Sequence, residues 1–283
     1  MSKGDTRTVA EVLRASRAEL TPAQLRVAQE VLADYPAAGL QTVAALAAKA
    51  GVSAPTVVRL VARLGYAGYP ALQSRLRAEL SARSAGPVEL YPATTTRGRG
   101  SGAALRRAPR QVGQAVTRTL HALDTVELAR AVELVADLDR PLVLTGGRVS
   151  ATLAEYLARY LALLRPGVTP ATGRAARDAA LLDVGRRTTV VVFDYRRYDA
   201  DVVSFGQEAT RRGGRLVLYT DPYLSPLSSS ATVLLTTAVD GPPPFLTLAP
   251  ALAVVEALVA GAVEALGPRT RRRLEALDRL AGR

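Results

Sequence analysis

Cysteine and tryptophan are absent from this chain of 283 residues, and histidine and methionine occur once each. Without cysteine, a disulfide framework, a thiolate nucleophile and a cysteine-ligated zinc site are all excluded. Aromatic residues make up only 5% of the sequence, so alanine, leucine and valine must fill the core. The lack of cysteine fits the reducing cytoplasm, where we expect the protein to act.

Long uninterrupted apolar runs are also missing. The most apolar stretch, Phe245 to Leu266, is broken by Pro250, Glu256 and Glu264, which predicts a buried helix and not a membrane span. Charged residues occur throughout residues 1–13, where a signal peptide would need an apolar segment. We therefore expect no signal peptide and no membrane partner.

Positive charge is concentrated in the first part of the chain. The formal net charge is +12, and residues 1–110 hold 16 basic and seven acidic residues, a net +9. Such a distribution is typical of a surface that holds a polyanion, although a solvated basic surface would give the same counts. A length of 283 residues and 48% hydrophobic residues predict about two packed domains.

Helical periodicity and capping residues mark four helices near the N-terminus. Thr21 and Pro22 begin the first helix, which runs to Asp34. Thr42 precedes the second helix, Val43 to Ala50, and Ser53 precedes the third, Ala54 to Leu64. The fourth helix runs from Pro70 to about Arg83. Gly51 follows the second helix and tolerates the left-handed turn that ends a helix.

The second and third of these helices have the order and short turn of a helix-turn-helix. The second helix of that motif enters the major groove with its N-terminal residues at the base edges. Those residues are Ser53, Ala54, Pro55 and Thr56, with Arg59 and Arg63 further along. Val57, Val58, Val61 and Leu64 are predicted to face the core. An ordinary pair of core helices has the same spacing.

The rest of the chain alternates between strands and helices. Residues 84–110 have the Gly/Pro/Ser/Thr composition of a flexible basic linker. Helices are then predicted at about 111–122, 125–138, 150–164, 174–182, 200–212, 245–266 and 269–281, with strands at 141–145, 168, 188–193, 215–219 and 232–236. Such alternation predicts a doubly wound parallel sheet covered by helices.

The N-terminal residues resemble the RpiR/MurR family of bacterial regulators. The resemblance covers about residues 8–83 and is carried by Ala-Gly-Val-Ser-x-x-Thr-Val-Val-Arg at 50–59 and by Leu-Gly-Tyr-x-Gly-Tyr at 64–69. It implies DNA binding through Ser53, Thr56 and Arg59, with Thr42 and Lys49 as backbone contacts. Pro55 and Arg63 complete the predicted DNA-binding set. DNA contact is one role for Tyr66 and Tyr69, but we expect them to pack against the fourth helix.

The second part of that family is a sugar isomerase (SIS) domain, which residues 111–267 resemble. The family has a strand, a Gly-x-Gly-x-Ser turn and a helix, and this chain has Gly146, Gly147, Arg148 and Ser150 there. Glycines at a strand end let a ligand approach the backbone, and a helix N-terminus attracts anions. Thr220 and Ser225 match the family's later Thr-Asp and Ser-Pro-Leu segments. The resemblance therefore implies a phosphosugar effector.

One departure from the family pattern affects the predicted ligand. The serine-rich loop that holds the sugar phosphate is replaced here by Asp194, Tyr195, Arg196 and Arg197, followed by Tyr198 and Asp199. Either Arg196 or Arg197 supplies the anion contact, or the phosphosugar site is lost and the domain serves for oligomerisation. A solvated charged loop is the remaining possibility.

An isomerase is the least favoured alternative. Isomerases of this fold use Glu and His, but His121 lies in a predicted helix before the first strand and Glu155 fits a helix surface. No metal constellation or cofactor motif occurs, so we expect neither a cofactor nor a metal, and no catalytic residue.

The sequence thus predicts an all-α helix-turn-helix domain (1–83), a linker (84–110) and an α/β SIS-like domain (111–283). We expect a regulator, most simply a repressor, that binds a double-stranded DNA operator as a homodimer or homotetramer and senses a phosphosugar or another small anion.

Overall fold

The computed structural model describes residues 7–91, 102–280 and 282. Contacts divide the chain into two compact units. The first comprises the residues up to Ala85 together with Pro222–Ser229, and the second comprises Gly86–Asp221 together with the residues from Ser230 onward. Residues 92–101 of the predicted linker lie outside the described residues.

Six α-helices make up most of the described part of the first unit. They are α1 (Val9–Ala15), α2 (Pro22–Ala33), α3 (Ala37–Leu40), α4 (Val43–Lys49), α5 (Ala54–Arg63) and α6 (Tyr69–Ser84). Thr21 caps α2 in a capping box with Gln24, and the Thr42 hydroxyl accepts a hydrogen bond from Ala45 N at the start of α4. The four predicted helices are present, whereas α1 and α3 are not among the predicted elements.

The core of the first unit is formed by one side of each helix. Leu46, Val57, Leu60 and Leu76 are at most 2% exposed, and burying each such side chain contributes about 1.5–3 kcal/mol. The prediction that Val58 faces the core is wrong, because Val58 is 48% exposed. Positions 57, 60, 61 and 64 share one face of a helix with 3.6 residues per turn, and position 58 falls outside it.

A buried carboxylate joins three segments of this unit. Glu79 of α6 is 2% exposed. It accepts hydrogen bonds from Val9 N at 2.9 Å, from Arg75 Nε at 3.0 Å and from the Tyr35 hydroxyl. Burial raises the pKa of Glu79, although these donors act in the opposite direction. The carboxylate thereby ties the start of α1 and the end of α2 to α6.

The described part of the second unit contains seven α-helices and five strands. In chain order they are α7 (Gly102–Ala122), α8 (Thr125–Ala136), β1 (Leu142–Gly146), α9 (Ala151–Leu164), β2 (Val168–Pro170), α10 (Arg174–Asp183), β3 (Thr189–Phe193), α11 (Ala200–Arg211), β4 (Arg215–Thr220), β5 (Val233–Thr236), α12 (Ala249–Leu266) and α13 (Pro268–Leu280). Helix α7 begins nine residues before its predicted start, since its first turns are rich in the strong helix formers Ala, Leu and Arg.

The five strands form one parallel sheet in the order β2-β1-β3-β4-β5. Alternate strand residues, including Phe193 and Tyr219, pack with α8, α9 and α12, while α11 contacts β3 and β4. Because successive side chains of a strand point to opposite faces, the sheet is covered on both sides. This confirms the predicted doubly wound fold.

Helix α12 is long and apolar enough to cross a membrane on length and composition alone. In the structure it packs against α7, α8 and α9, and Val254, Val255 and Leu258 are fully buried. This packing is what the interrupted apolar stretch predicts, a core helix of the sheet domain.

The register aligns the carboxyl ends of three strands. Gly146 of β1 pairs with Phe193 of β3, and Phe193 pairs with Tyr219 of β4. The strand order reverses between β1 and β3, and ligands of doubly wound sheets bind at such a point, beyond the carboxyl ends of the strands. The loops that follow β1 and β3, together with the end of β4, therefore form the candidate ligand site of this unit.

Candidate functional sites

Helices α4 and α5 have helix-turn-helix geometry. Their directions differ by 103°, within the range of 90–120° of that motif. The turn is fixed by hydrogen bonds from Gly51 N to Ala48 O and from Val52 N to Ala47 O, with Gly51 at φ 61°. This pairing is a Schellman motif, which needs a left-handed residue after the helix.

The outer face of α5 is exposed and carries no negative charge. Ser53, Ala54, Pro55, Val58, Arg59, Ala62 and Arg63 are all exposed. Residues 35–78 contain no Asp or Glu, whereas they include Lys49, Arg59 and Arg63. An exposed helix in an acid-free stretch of chain suits the approach of a polyanion.

Six of the seven residues predicted to bind DNA lie at the surface: Thr42, Lys49, Ser53, Pro55, Arg59 and Arg63. Thr56 differs, because only 7% of it is exposed. Its Oγ1 lies 3.0 Å from Ser53 Oγ and accepts a hydrogen bond from Arg59 Nη2 at 3.2 Å. Thr56 is therefore a neighbour of the exposed side chains and is not itself presented to solvent.

The two tyrosines after α5 pack inside the unit, as expected. Tyr66 and Tyr69 are 8% and 7% exposed, and the Tyr69 hydroxyl donates to Gln41 O at 3.0 Å. Burial raises the pKa of Tyr69.

In the second unit, the turn after β1 is closed by its own residues. Ser150 Oγ donates to Phe193 O at 2.7 Å and accepts from Gly147 N at 3.0 Å. Ala151 N bonds to Gly147 O, so helical turns begin directly after β1. A Cβ on Gly146 would lie 2.8 Å from backbone atoms of Ser150 and Ala151. Gly146 is thus required for the close approach of β1 to α9.

The loop after β3 is packed tightly. Asp194 and Tyr195 are 1% and 7% exposed. Asp194 Oδ1 accepts from Asp199 N at 3.2 Å, and the Tyr195 hydroxyl lies 3.0 Å from Thr237 Oγ1. Burial raises the pKa of Tyr195. Neither side chain is a solvated loop residue.

A fully buried carboxylate after β4, Asp221, organises the same loop. Asp221 Oδ2 accepts from Arg196 N at 2.8 Å and Oδ1 accepts from the Tyr198 hydroxyl at 3.0 Å. Arg196 Nε lies 3.8 Å from Oδ2, and the two side chains are 9% and 0% exposed. Asp221 is not among the predicted site residues, although it follows Thr220 in the Thr-Asp segment that carries the family resemblance.

The three arginines predicted at the ligand site have different surroundings. Arg196 is held by Asp221. Arg197 Nη1 would lie 3.3 Å from a Cβ on Gly86, so its guanidinium points to that segment. Arg148 is exposed, and within the described part of the chain its guanidinium has no hydrogen bond or ion pair. Arg148 is therefore the arginine of the three best placed to meet an incoming anion.

The two remaining predicted ligand residues are buried. Thr220 is fully buried at the end of β4, and Ser225 is 3% exposed. The Ser225 hydroxyl accepts from Leu227 N at 3.1 Å at the start of the 3-10 helix Pro226–Ser230. Ser225 belongs to the first unit, whereas Thr220 and the residues after β1 and β3 belong to the second.

The two acid–base candidates lie on different helices, α7 and α9. His121 is exposed on α7, and Glu155 of α9 accepts a hydrogen bond from Thr172 Oγ1 at 3.2 Å.

Both parts of the chain match known protein families. Residues 7–83 match the family described as "Helix-turn-helix domain, rpiR family", and residues 139–261 match the SIS domain. The chain belongs to the RpiR family. As an RpiR-family protein it combines the helix-turn-helix domain of these transcription regulators with a sugar isomerase domain. No curated protein sequence matches the chain significantly.

Solved structures show the same folds. The sugar isomerase domain of an RpiR transcription factor from Sphaerobacter thermophilus is 24% identical with a TM-score of 0.57, covering 62% of this chain and 98% of that one. The Vibrio vulnificus NanR protein complexed with ManNAc-6P is 21% identical with a TM-score of 0.53, covering 96% and 97%. A putative sugar-phosphate isomerase from Listeria monocytogenes is 16% identical with a TM-score of 0.53, covering 59% and 92%.

Proposed function

We propose that this RpiR-family protein is a transcription repressor that binds operator DNA through α5 and responds to a small anionic metabolite. We assign DNA binding to residues 1–83 and effector binding and dimerisation to residues 111–283. Residues 84–110 lie between them, and residues 102–110 of this predicted linker form the first turns of α7. The observation that carries the proposal is the exposed, acid-free outer face of α5.

Each exposed residue of the helix-turn-helix has a role that follows from its position. Ser53 and Pro55 lie at the tip of α5 and approach the base edges. Arg59 contacts a base or a phosphate, since its guanidinium has donors for either. Arg63, Lys49 and Thr42 contact the phosphate backbone.

The DNA-binding half is tested with Arg59→Ala and a matched control. Arg77 is an exposed arginine of α6, outside the helix-turn-helix, so Arg77→Ala removes the same charge elsewhere in the unit. With an operator selected from genomic fragments, Arg59→Ala should weaken binding by about 1–3 kcal/mol if it reads a base. Equal affinities of the two variants would remove Arg59 from the proposed contacts.

The protein acts in the cytoplasm as a homodimer or homotetramer, so that two recognition helices bind two half-sites of the operator. An effector at the strand ends of the second unit changes DNA affinity only if it binds one state of the oligomer more tightly than the other.

A phosphosugar is the effector class that the family suggests, and NanR is a structural neighbour solved with ManNAc-6P. We assign the anion contact to the exposed Arg148, with Gly147 and Ser150 shaping the turn beside it. A second candidate function is oligomerisation alone, without an effector. It is favoured by the ion pair of Arg196 with Asp221 and by the buried Asp194, because carboxylates disfavour a phosphate nearby.

Thermal unfolding with inorganic phosphate and with ManNAc-6P separates the two candidates. A ligand that binds only the folded state raises the midpoint temperature with concentration. We expect such a rise for the wild-type chain and for Arg187→Ala, which removes an exposed arginine elsewhere in this unit, but not for Arg148→Ala. Unchanged midpoints for the wild-type chain would favour the oligomerisation role.

A further inference from the structure

Thr56 lies in the first turn of α5, between Ser53 and Arg59 of the proposed DNA-binding set. It is 7% exposed, and its hydroxyl contacts Ser53 Oγ at 3.0 Å and Arg59 Nη2 at 3.2 Å. Ser53 is the N-cap of α5 but makes no side-chain bond to the helix backbone. Its hydroxyl is therefore paired with Thr56 in place of the usual capping interaction.

The direction of these hydrogen bonds follows from the chemistry of the groups. A guanidinium has donors and no acceptor, so Thr56 Oγ1 accepts from Arg59. Because Thr56 is buried, its own hydrogen needs a nearby acceptor, and Ser53 Oγ is in place. Ser53 Oγ then accepts from Thr56 and keeps its own hydrogen for a partner outside the protein.

We propose that Thr56 is a positioning residue that orders Arg59 and Ser53 for DNA and sets the Ser53 hydroxyl as a donor. The proposal rests on the proposed function of α5. Thr56 does not touch the DNA; it holds one guanidinium nitrogen of Arg59 and fixes the rotamer of Ser53 before binding. Such preorganisation lowers the entropy lost when flexible side chains are immobilised at an interface.

The hydrogen that Ser53 keeps can be donated at the tip of α5 to phosphate oxygens or to the major-groove acceptors of guanine, adenine N7 and thymine O4. A serine hydroxyl has two lone pairs, so Ser53 Oγ can also accept from a base amino group after it accepts from Thr56.

The test uses the full chain, a random-sequence duplex library and one duplex of shuffled sequence. Thr56→Val keeps the shape and the buried methyl group but has no hydroxyl, and Thr56→Ser keeps the hydroxyl. The measured quantity is the ratio of affinities for the best selected duplex and the shuffled duplex. We expect Thr56→Val to lower this ratio about tenfold, the effect of losing roughly 1.4 kcal/mol of ordered contacts, and Thr56→Ser to restore it.

Affinity for the shuffled duplex reports phosphate binding and should change little in Thr56→Val, because the charges remain. Ser53→Ala lies on the exposed surface and serves as a second variant that does not disturb the core. It should lose preference for the same base pair as Thr56→Val.

The outcomes are distinct. If the wild-type chain selects no sequence and ignores duplex DNA, the proposed function fails. If it selects a sequence and Thr56→Val keeps the full ratio, or loses preference at a base pair that neither Ser53→Ala nor Arg59→Ala affects, the positioning role of Thr56 is overturned. If Thr56→Val also melts at a lower temperature, the surface variant Ser53→Ala decides the outcome. If Ser53→Ala keeps the wild-type preference at every base pair, the positioning role of Thr56 is overturned.

Discussion

Replacing Arg165 with methionine should strongly destabilise the second unit. Arg165 ends α9 and is 1% exposed. Its guanidinium donates to four carbonyl oxygens, those of Val135 at 2.6 Å, Asp137 at 2.8 Å, Pro166 at 3.0 Å and Arg140. One side chain thus satisfies the end of α8 and the loop that leads into β1.

The size of the effect follows from these bonds. Hydrogen bonds that involve a charged group are worth about 1.5–3 kcal/mol each, and a buried carbonyl left without a donor costs about 1–3 kcal/mol. Some of the freed carbonyls will meet water after relaxation, so the sum is an upper bound. We expect Arg165→Met to lower the free energy of unfolding by about 3–5 kcal/mol, the range for breaking a buried polar network.

The assay is urea unfolding followed by circular dichroism, with Arg187→Met as the matched control. Arg187 also donates to a carbonyl oxygen, that of Asp139, but its side chain is 73% exposed. Loss of that contact should cost less than about 1 kcal/mol. If Arg165→Met unfolds at the same urea concentration as Arg187→Met, the guanidinium does not hold this region together.

Two further predictions concern the buried acid and the glycine turn. Burial raises the pKa of Glu79 above its ordinary value of 4.5, so between the ordinary and the raised pKa the folded state binds more protons than the unfolded state. The free energy of unfolding should therefore fall as pH rises through that window, and Glu79→Gln should remove this pH dependence in urea unfolding curves recorded across it. An unchanged pH dependence would assign the effect to other groups. Gly146→Ala should destabilise the second unit by about 1–3 kcal/mol, because the added Cβ would lie 2.8 Å from backbone atoms. The control Gly147→Ala should be tolerated, because the nearest atoms to its Cβ are 3.5 Å away. Equal melting temperatures of the two variants would contradict the close approach of β1 to α9.

Much of the fold could be predicted because its signals are local. Thr21 and Thr42 mark helix starts through bonds to residues three positions away, and β3 and β4 each contain four consecutive apolar or aromatic residues. Helices α1 and α3 have seven and four residues. Such short segments show too few turns for a periodicity to emerge.

The position of the candidate ligand site could be predicted from the sequence, but the contacts of its residues could not. The strand-end loops of β1 and β3 could be placed from the alternation of strands and helices. The pairing of Arg196 with Asp221 depends on β4 lying beside β3, and these residues are 25 positions apart in the sequence. Its charge made Arg196 a candidate anion ligand, but in the structure its guanidinium pairs with the buried carboxylate of Asp221.

The same limit applies to α5. Spacing separates a core face from an outer face, but Thr56 lies at the boundary, and its burial depends on how α5 packs on the other helices. Val58 shows the converse, since a valine near the core face is exposed. Apolar character alone does not tell an inward valine from one at the edge of the face.

The salt dependence of duplex binding tests the central claim most directly. Fluorescence anisotropy of the wild-type chain on a labelled duplex, between about 50 and 200 mM salt, should give a linear fall of log affinity with log salt, with a slope of about −0.9 for each phosphate contacted. In Arg63→Ala the slope should be smaller by about 1. No binding at the lowest salt, or a slope near zero, would contradict the assignment of α5 as a DNA-binding helix.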